Sequence, residues 1–209
     1  MSQHIPLYVY LAVTGFFLAA YLLGSVPFGL ILAKLAGLGD IRNIGSGNIG
    51  ATNVLRTGNK PLALLTLFLD GGKGALAVFL AEQLFSLPEI SIIAGIAAVL
   101  GHIYPVFLKF KGGKGVATAL GAILVASPIV GLAMILTWLI VAFVFRFASL
   151  AAVAAFAASA PFALYLNETH MIFPCAALAA LVIMRHSENI SRILRGKESK
   201  IGQTSSRKY

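Results

Sequence analysis

Seven apolar blocks, approximately 5–33, 61–87, 90–108, 116–127, 129–145, 147–166 and 171–184, take up most of this 209-residue chain. Crossing the hydrocarbon of a bilayer takes about 18 or more consecutive apolar residues as a helix, and most of the blocks reach or approach that length. Only 11% of the residues are charged and 59% are hydrophobic, whereas a soluble domain carries about 25% charged residues. With so few charges, the apolar faces of a chain this long could not all be turned inward. The fold class expected is therefore all-α, a polytopic integral membrane protein forming one transmembrane domain over 1–209. The first block is too long for a cleaved signal peptide and lacks a basic start and a small-residue cleavage site. Pro27 is expected to kink or end its helix.

The net charge of +9 is a common mark of nucleic-acid or anionic-lipid binding, but here position tells more than the sum. Lys34, Arg42, Arg56 and Lys60 fall in the first polar link, and Lys109, Lys111 and Lys114 in the second. Arg185, Arg192, Arg195, Lys197, Lys200, Arg207 and Lys208 fall in the tail. The links "FSLPEI" and "NETH" contain acids and no Lys or Arg. Lys and Arg in short loops mark the cytoplasmic side, so the three basic segments belong inside. That requires an even number of crossings between residues 115 and 185. One helix over 116–145 would give three, whereas a split at Ser127-Pro128 gives four. The result is seven transmembrane helices with the N-terminus out and the C-terminus cytoplasmic. Block 116–127 is the shortest, since a dozen residues rise only about 18 Å. Residues 199–209 read as a flexible cytoplasmic tail.

The first link contains "GSGNIGATN" followed by Arg56. Its glycines free the backbone to turn N–H groups toward a ligand, and Ser46, Asn48, Thr52 and Asn53 add neutral hydrogen-bonders. Arg56 supplies a fork that can grip a phosphate with two bonds. The second link, "FKGGKG", fails the P-loop pattern because Gly115 follows the lysine and the earlier glycine is absent. What remains is a glycine pair opening a helix, where free N–H groups and the helix dipole favour an anion. The third segment, "RHSENISRILRGKE", spaces His186, Asn189 and Arg192 by three along a helix, so they share a face. Taken singly, each segment also has a plain reading: a polar loop, a tight turn between inside-positive lysines, and a juxtamembrane helix touching lipid headgroups. Placed on one side of one membrane, the three could converge.

Asp70 and Lys73 lie inside a block, where charges are costly and are functional or paired. An internal ion pair locking helices near the site is expected, and the "GGKG" echo at 71–74 lies too deep to act as a second phosphate loop. His102, near the cytoplasmic edge, is expected to make a structural hydrogen bond. Cys175 is the sole cysteine, so no disulfide forms within one chain. No zinc spacing exists, and no metal site is expected.

"GSGNIGATNVLR", "GHIYPVFLKFKGGKGVAT" and "RHSENISRILRGKE", in this order, closely resemble the three motifs of the PlsY family, acyl-phosphate:glycerol-3-phosphate acyltransferases of bacterial membranes. The resemblance covers nearly the whole chain. It implies transfer of an acyl group from acyl phosphate to the sn-1 hydroxyl of glycerol 3-phosphate, giving lysophosphatidic acid and inorganic phosphate without a cofactor. No His is followed by the Asp of the common H-x-x-x-x-D acyltransferases. By the same resemblance Ser46, Arg56, Lys114, His186 and Asn189 are expected at the catalytic centre. Gly47, Asn48, Gly50, Thr52, Asn53, Lys111, Gly112, Gly113, Gly115 and Ser149 are expected around the substrates and their phosphates. Asp70, Lys73, His102 and Glu198 are expected in support. The family pattern does not require the first two glycines of "DGGKG".

The partners implied are acyl phosphate, glycerol 3-phosphate and membrane lipid, with no nucleic acid; no oligomeric state is implied. The location implied is the bacterial inner membrane, multi-pass, with the active site facing the cytoplasm. Either His186 or an oxygen of the donor phosphate could take the hydroxyl proton. An organic-phosphate transporter is the alternative, and it would need its cations near the bilayer midplane.

Overall fold

The computed structural model describes residues 6–203, and every regular element among them is a helix. Proline sets many of the boundaries. Helix α1 (Leu7–Ser25) gives way to α2 (Phe28–Leu35) at Val26-Pro27, because proline has no N–H to donate and its ring blocks the preceding turn. At this break the Val26 carbonyl accepts from the Phe28 N–H at 3.1 Å and from Lys73 Nζ at 3.0 Å. The first polar link folds into a short 3-10 turn, Ile41–Asn43, and a helix, α3 (Ala51–Leu55). Helix α4 (Lys60–Phe85) is capped by Asn59, whose side chain accepts from the Leu62 N–H at 3.0 Å. Helix α5 (Pro88–Ile103) starts on a proline and runs into a 3-10 turn, Val106–Leu108.

Helices α6 (Val116–Ala126) and α7 (Pro128–Phe145) separate at Ser127-Pro128, where the sequence places the split. The block 147–166 is two helices, α8 (Ala148–Ala157) and α9 (Ser159–Tyr165). Pro161 explains the break, since its ring would meet the carbonyl of Ala157 in a continuous helix. Helix α10 (Ile172–Arg185) is followed at His186 by α11 (Ser187–Leu194), bent from it by 59°.

The packing is inverted relative to a soluble protein. Phe143 and Phe173 are 86% and 87% exposed, and the outward faces of α1, α4 and α7 carry leucine and phenylalanine. Alanine, glycine and small polar residues lie between helices, which lets backbones approach closely. A Cβ on Gly24 would strike the Ala98 backbone, and one on Gly121 would strike the Gly71 carbonyl. These contacts join α1 to α5 and α4 to α6. The main apolar core gathers Phe156, Met134, Met171, Leu178 and Val182.

Five stretches are long and apolar enough to span a membrane: Leu7–Leu35, Lys60–Phe85, Pro88–Leu108, Pro128–Phe145 and Ala148–Tyr165. The bent pair Thr169–Arg185 and Ser187–Leu194 makes a sixth if counted as one, and Val116–Ala126 falls short of spanning length.

Candidate active site

Hydrogen bonds tie the ends of α5, α7 and α10 to the starts of α6 and α8 and to the segments that follow α10, so these termini share one end of the bundle. A cavity of about 340 Å³ opens at that end. It draws Ser46, Asn48 and Arg56 from the first link, Lys114 and Gly115 from the second, and His186, Asn189 and Glu198 from the third segment. The three polar segments singled out in the sequence thus meet at one pocket.

The first link is tied together by Asn53, which is buried. Its Oδ1 accepts from the Ser46 N–H at 3.1 Å, and its Nδ2 donates to the carbonyls of Ile41 (2.7 Å) and Asn48 (2.8 Å). Gly45 has φ +56°, and a Cβ there would lie 2.7 Å from Arg56 Cδ, so the loop must be bare where the arginine stem crosses it. The guanidinium of Arg56 lines the cavity with no hydrogen bond or ion pair among the described residues. Burial lowers the pKa of its guanidinium and Glu198 opposes that shift, yet an arginine remains charged in either case.

The second link sorts its N–H groups into two sets. Gly112 and Gly113 donate to the carbonyls of Ile103 (3.2 Å) and His102 (3.0 Å), satisfying the open end of α5. Neither glycine lines the cavity, and the side chain of Lys111 is exposed outside it. Gly115, at φ +80°, then starts α6. The N–H groups of Lys114, Gly115, Val116, Ala117 and Thr118 have no partner among the described residues. The first four of these residues line the cavity. The N–H groups left open to an anion are therefore those at the N-terminus of α6, just beyond the glycine pair.

Lys114 Nζ donates to Asn189 Oδ1. Asn189 Nδ2 in turn donates to Glu198 Oε1, which also accepts from Ser149 Oγ at 2.7 Å, while Arg192 Nε donates to Glu198 Oε2 at 2.7 Å. Burial would raise the Glu198 pKa, but these hydrogen bonds outweigh it and hold the carboxyl below its usual range. Burial pushes the Lys114 ammonium down to about 8. Burial likewise pushes His186 down to about 4, against the opposing pull of the Val182 carbonyl, which lies 2.7 Å from its Nδ1. With Nδ1–H donated to that carbonyl, Nε2 is left as a neutral acceptor.

Below the second link, Lys73 Nζ lies 3.0 Å from Asp70 Oδ1, and His102 Nδ1 lies 3.6 Å from the same oxygen. The expected ion pair is present, but Asp70 and His102 also line the cavity. His102 Nδ1 makes no hydrogen bond among the described residues. Gly47 does not line the cavity; Gly50, Thr52 and Asn53 do.

The sequence reading missed two walls. One is apolar, formed by Leu67 of α4, Leu120 of α6, and Ile135, Trp138 and Leu139 of α7. Leu67 and Leu139 are half exposed on the outer surface, so the slot between α4 and α7 faces lipid. Its residues are ordinary transmembrane types and carry no signature. The other wall is the tail: Ser199 to Gln203 line the cavity, and the Ile201 N–H donates to the Arg146 carbonyl at 2.7 Å.

Together these features define a polytopic helical membrane protein with a cationic, N–H-lined pocket at one end that continues into an apolar slot. The chain belongs to the glycerol-3-phosphate acyltransferase family, whose profile matches residues 14–196. It is 59% identical over 188 residues to a glycerol-3-phosphate acyltransferase of Jannaschia sp. (strain CCS1), covering 90% of this chain and 92% of that one. A glycerol-3-phosphate acyltransferase of Paramagnetospirillum magneticum is 60% identical over 185 residues, covering 88% and 92%. Among solved structures, the glycerol 3-phosphate form of PlsY (YgiH), an integral membrane glycerol 3-phosphate acyltransferase, superposes with a TM-score of 0.86 at 43% identity. That match covers 91% of this chain and 96% of the other. The lysophosphatidic acid form gives 0.84 at 41% identity, covering 92% and 96%.

Proposed function

We propose that this chain transfers an acyl group from acyl phosphate to the sn-1 hydroxyl of glycerol 3-phosphate, releasing lysophosphatidic acid and inorganic phosphate. One observation carries the reading. A single cavity joins a polar end, holding Arg56, Lys114 and the free N–H groups of α6, to an apolar end facing lipid. Such a pocket suits a donor with a phosphate head and an acyl tail, together with a small phosphorylated acceptor.

The hydroxyl oxygen attacks the acyl carbonyl carbon, the new ester bond forms, and the acyl C–O bond to phosphate breaks with its electron pair leaving on phosphate. Because the donor is a mixed anhydride, no covalent enzyme intermediate is needed. Arg56, Lys114 and the α6 N–H groups neutralise two phosphates and hold hydroxyl and carbonyl within reach. The proton goes to an oxygen of the departing phosphate. A histidine whose pKa burial pushes down to about 4 is a weak base at neutral pH, so His186 orients the acceptor through Nε2. Asn189 holds Lys114 in place.

The chain lies in the bacterial inner membrane in seven crossings, with the cavity toward the cytoplasm, and α6 is the short crossing. A transporter would carry its cations midway along the helices, whereas Arg56 and Lys114 sit at their ends. The test is to mix purified protein in detergent with palmitoyl phosphate and glycerol 3-phosphate. Lysophosphatidic acid and phosphate are expected to appear together. Uptake of glycerol 3-phosphate into proteoliposomes without chemistry would overturn the reading.

A further inference from the structure

The reaction as described gives no part to a buried polar pair in the cavity wall. Asp70 and His102 are 2% and 5% exposed, and both line the cavity. Lys73 balances the charge of Asp70 at 3.0 Å through Oδ1. Asp70 Oδ1 and His102 Nδ1 are buried without a hydrogen-bond partner among the described residues, and the ion contacts of the pair run through these two atoms, leaving Oδ2 and His102 Nε2 without a partner as well. His102 Nδ1 faces the carboxylate at 3.6 Å, too far for a hydrogen bond but near enough to favour the proton on that nitrogen. Nε2 is then an acceptor. Glu198, the other carboxylate at the cavity, already accepts from Ser149, Asn189 and Arg192.

Two partnerless acceptors thus sit beneath the N-terminus of α6. Gly71, beside Asp70, would place a Cβ 3.5 Å from the carbonyl of Ala117 in the first turn of α6, and His102 Nε2 abuts Gly113. A phosphate cannot fill such a site, because it brings acceptors to acceptors, and an acyl carbonyl fails for the same reason. A hydroxyl donor fits. Resting on the acyltransfer reading above, we propose that Asp70 and His102 form the hydroxyl-reading subsite of the acceptor. They accept hydrogen bonds from the glycerol backbone once its phosphate is seated on α6, and so set the preference for a phosphorylated diol over a phosphorylated mono-alcohol.

The experiment compares glycerol 3-phosphate with 3-hydroxypropyl phosphate, which lacks the secondary hydroxyl, using palmitoyl phosphate as donor. The wild type is expected to favour glycerol 3-phosphate in kcat/KM by about 10- to 100-fold, the range for one hydrogen bond to a charged group. Asp70→Leu combined with Lys73→Gln removes the acceptor while keeping the buried charge balanced and a donor for the Val26 carbonyl. His102→Phe removes the second acceptor and guards against a fold defect in the first variant. Each is expected to collapse most of the preference. A wild type indifferent to the missing hydroxyl would overturn the inference. So would variants that slow both acceptors equally and leave the ratio unchanged. Turnover of glycerol 3-phosphate by the wild type tests the acyltransfer reading separately.

Discussion

At the residue scale, the site depends on which cation stands where. Arg56 reaches the cavity with its fork unoccupied, and Arg56→Lys replaces two parallel donors with a point charge. A fall of about tenfold or more in kcat/KM is expected; turnover near the wild type would remove Arg56 from the site. Lys114, pushed down to about 8 by burial, is charged below that pH and neutral above it. The kcat/KM profile of the wild type should therefore decline as pH rises through about 8. In Lys114→Arg that decline should move to higher pH whatever the absolute rate, and an unmoved limb would assign it to another group. Gly113→Ala is expected to raise KM for glycerol 3-phosphate, by a route the sequence did not disclose. The new Cβ meets the His102 ring rather than the ligand. The loss of thermal stability in Gly113→Ala should therefore shrink in a His102→Ala background, and strict additivity would contradict that contact.

At the scale of elements, helix breaks are local chemistry and were legible: Pro27 and Pro128 end or start helices because a missing N–H acts where it stands. Pro161 does the same, but an unbroken apolar run hid it. Lys73 shows a longer reach, pairing with Asp70 and donating to the Val26 carbonyl at the break between α1 and α2. Lys73→Met leaves that carboxylate buried and unpaired, at a cost of roughly 3–5 kcal/mol. A large drop in melting temperature in detergent is expected, and an unchanged midpoint would contradict the pairing. Lys111 and Lys114 are the same residue type in the same motif, yet the turn at Gly112-Gly113 leaves one exposed and brings the other to the cavity. Composition could not separate them. The return of the tail onto Arg146 rests on hydrogen bonds to both main-chain polar groups of Ile201, which no pattern in the tail's side chains announces.

At the scale of the whole molecule, the charge asymmetry of the loops carried most of the information, because it orders segments that are far apart in sequence. It assigns Arg56, Lys114 and His186 to one end, and one cavity gathers all three. The apolar slot between α4 and α7 stayed hidden because lipid-facing and cavity-lining leucines look alike. The most direct measurement places single cysteines at the exposed positions Asn43, Lys111 and Lys197, with Glu89 at the opposite end as control, in a Cys175→Ala background. Intact cells are then treated with a membrane-impermeant thiol reagent. Glu89→Cys should react from outside, and the other three should react only after the membrane is permeabilised. Reaction of any one of those three in intact cells would separate the segments and contradict a shared cytoplasmic site.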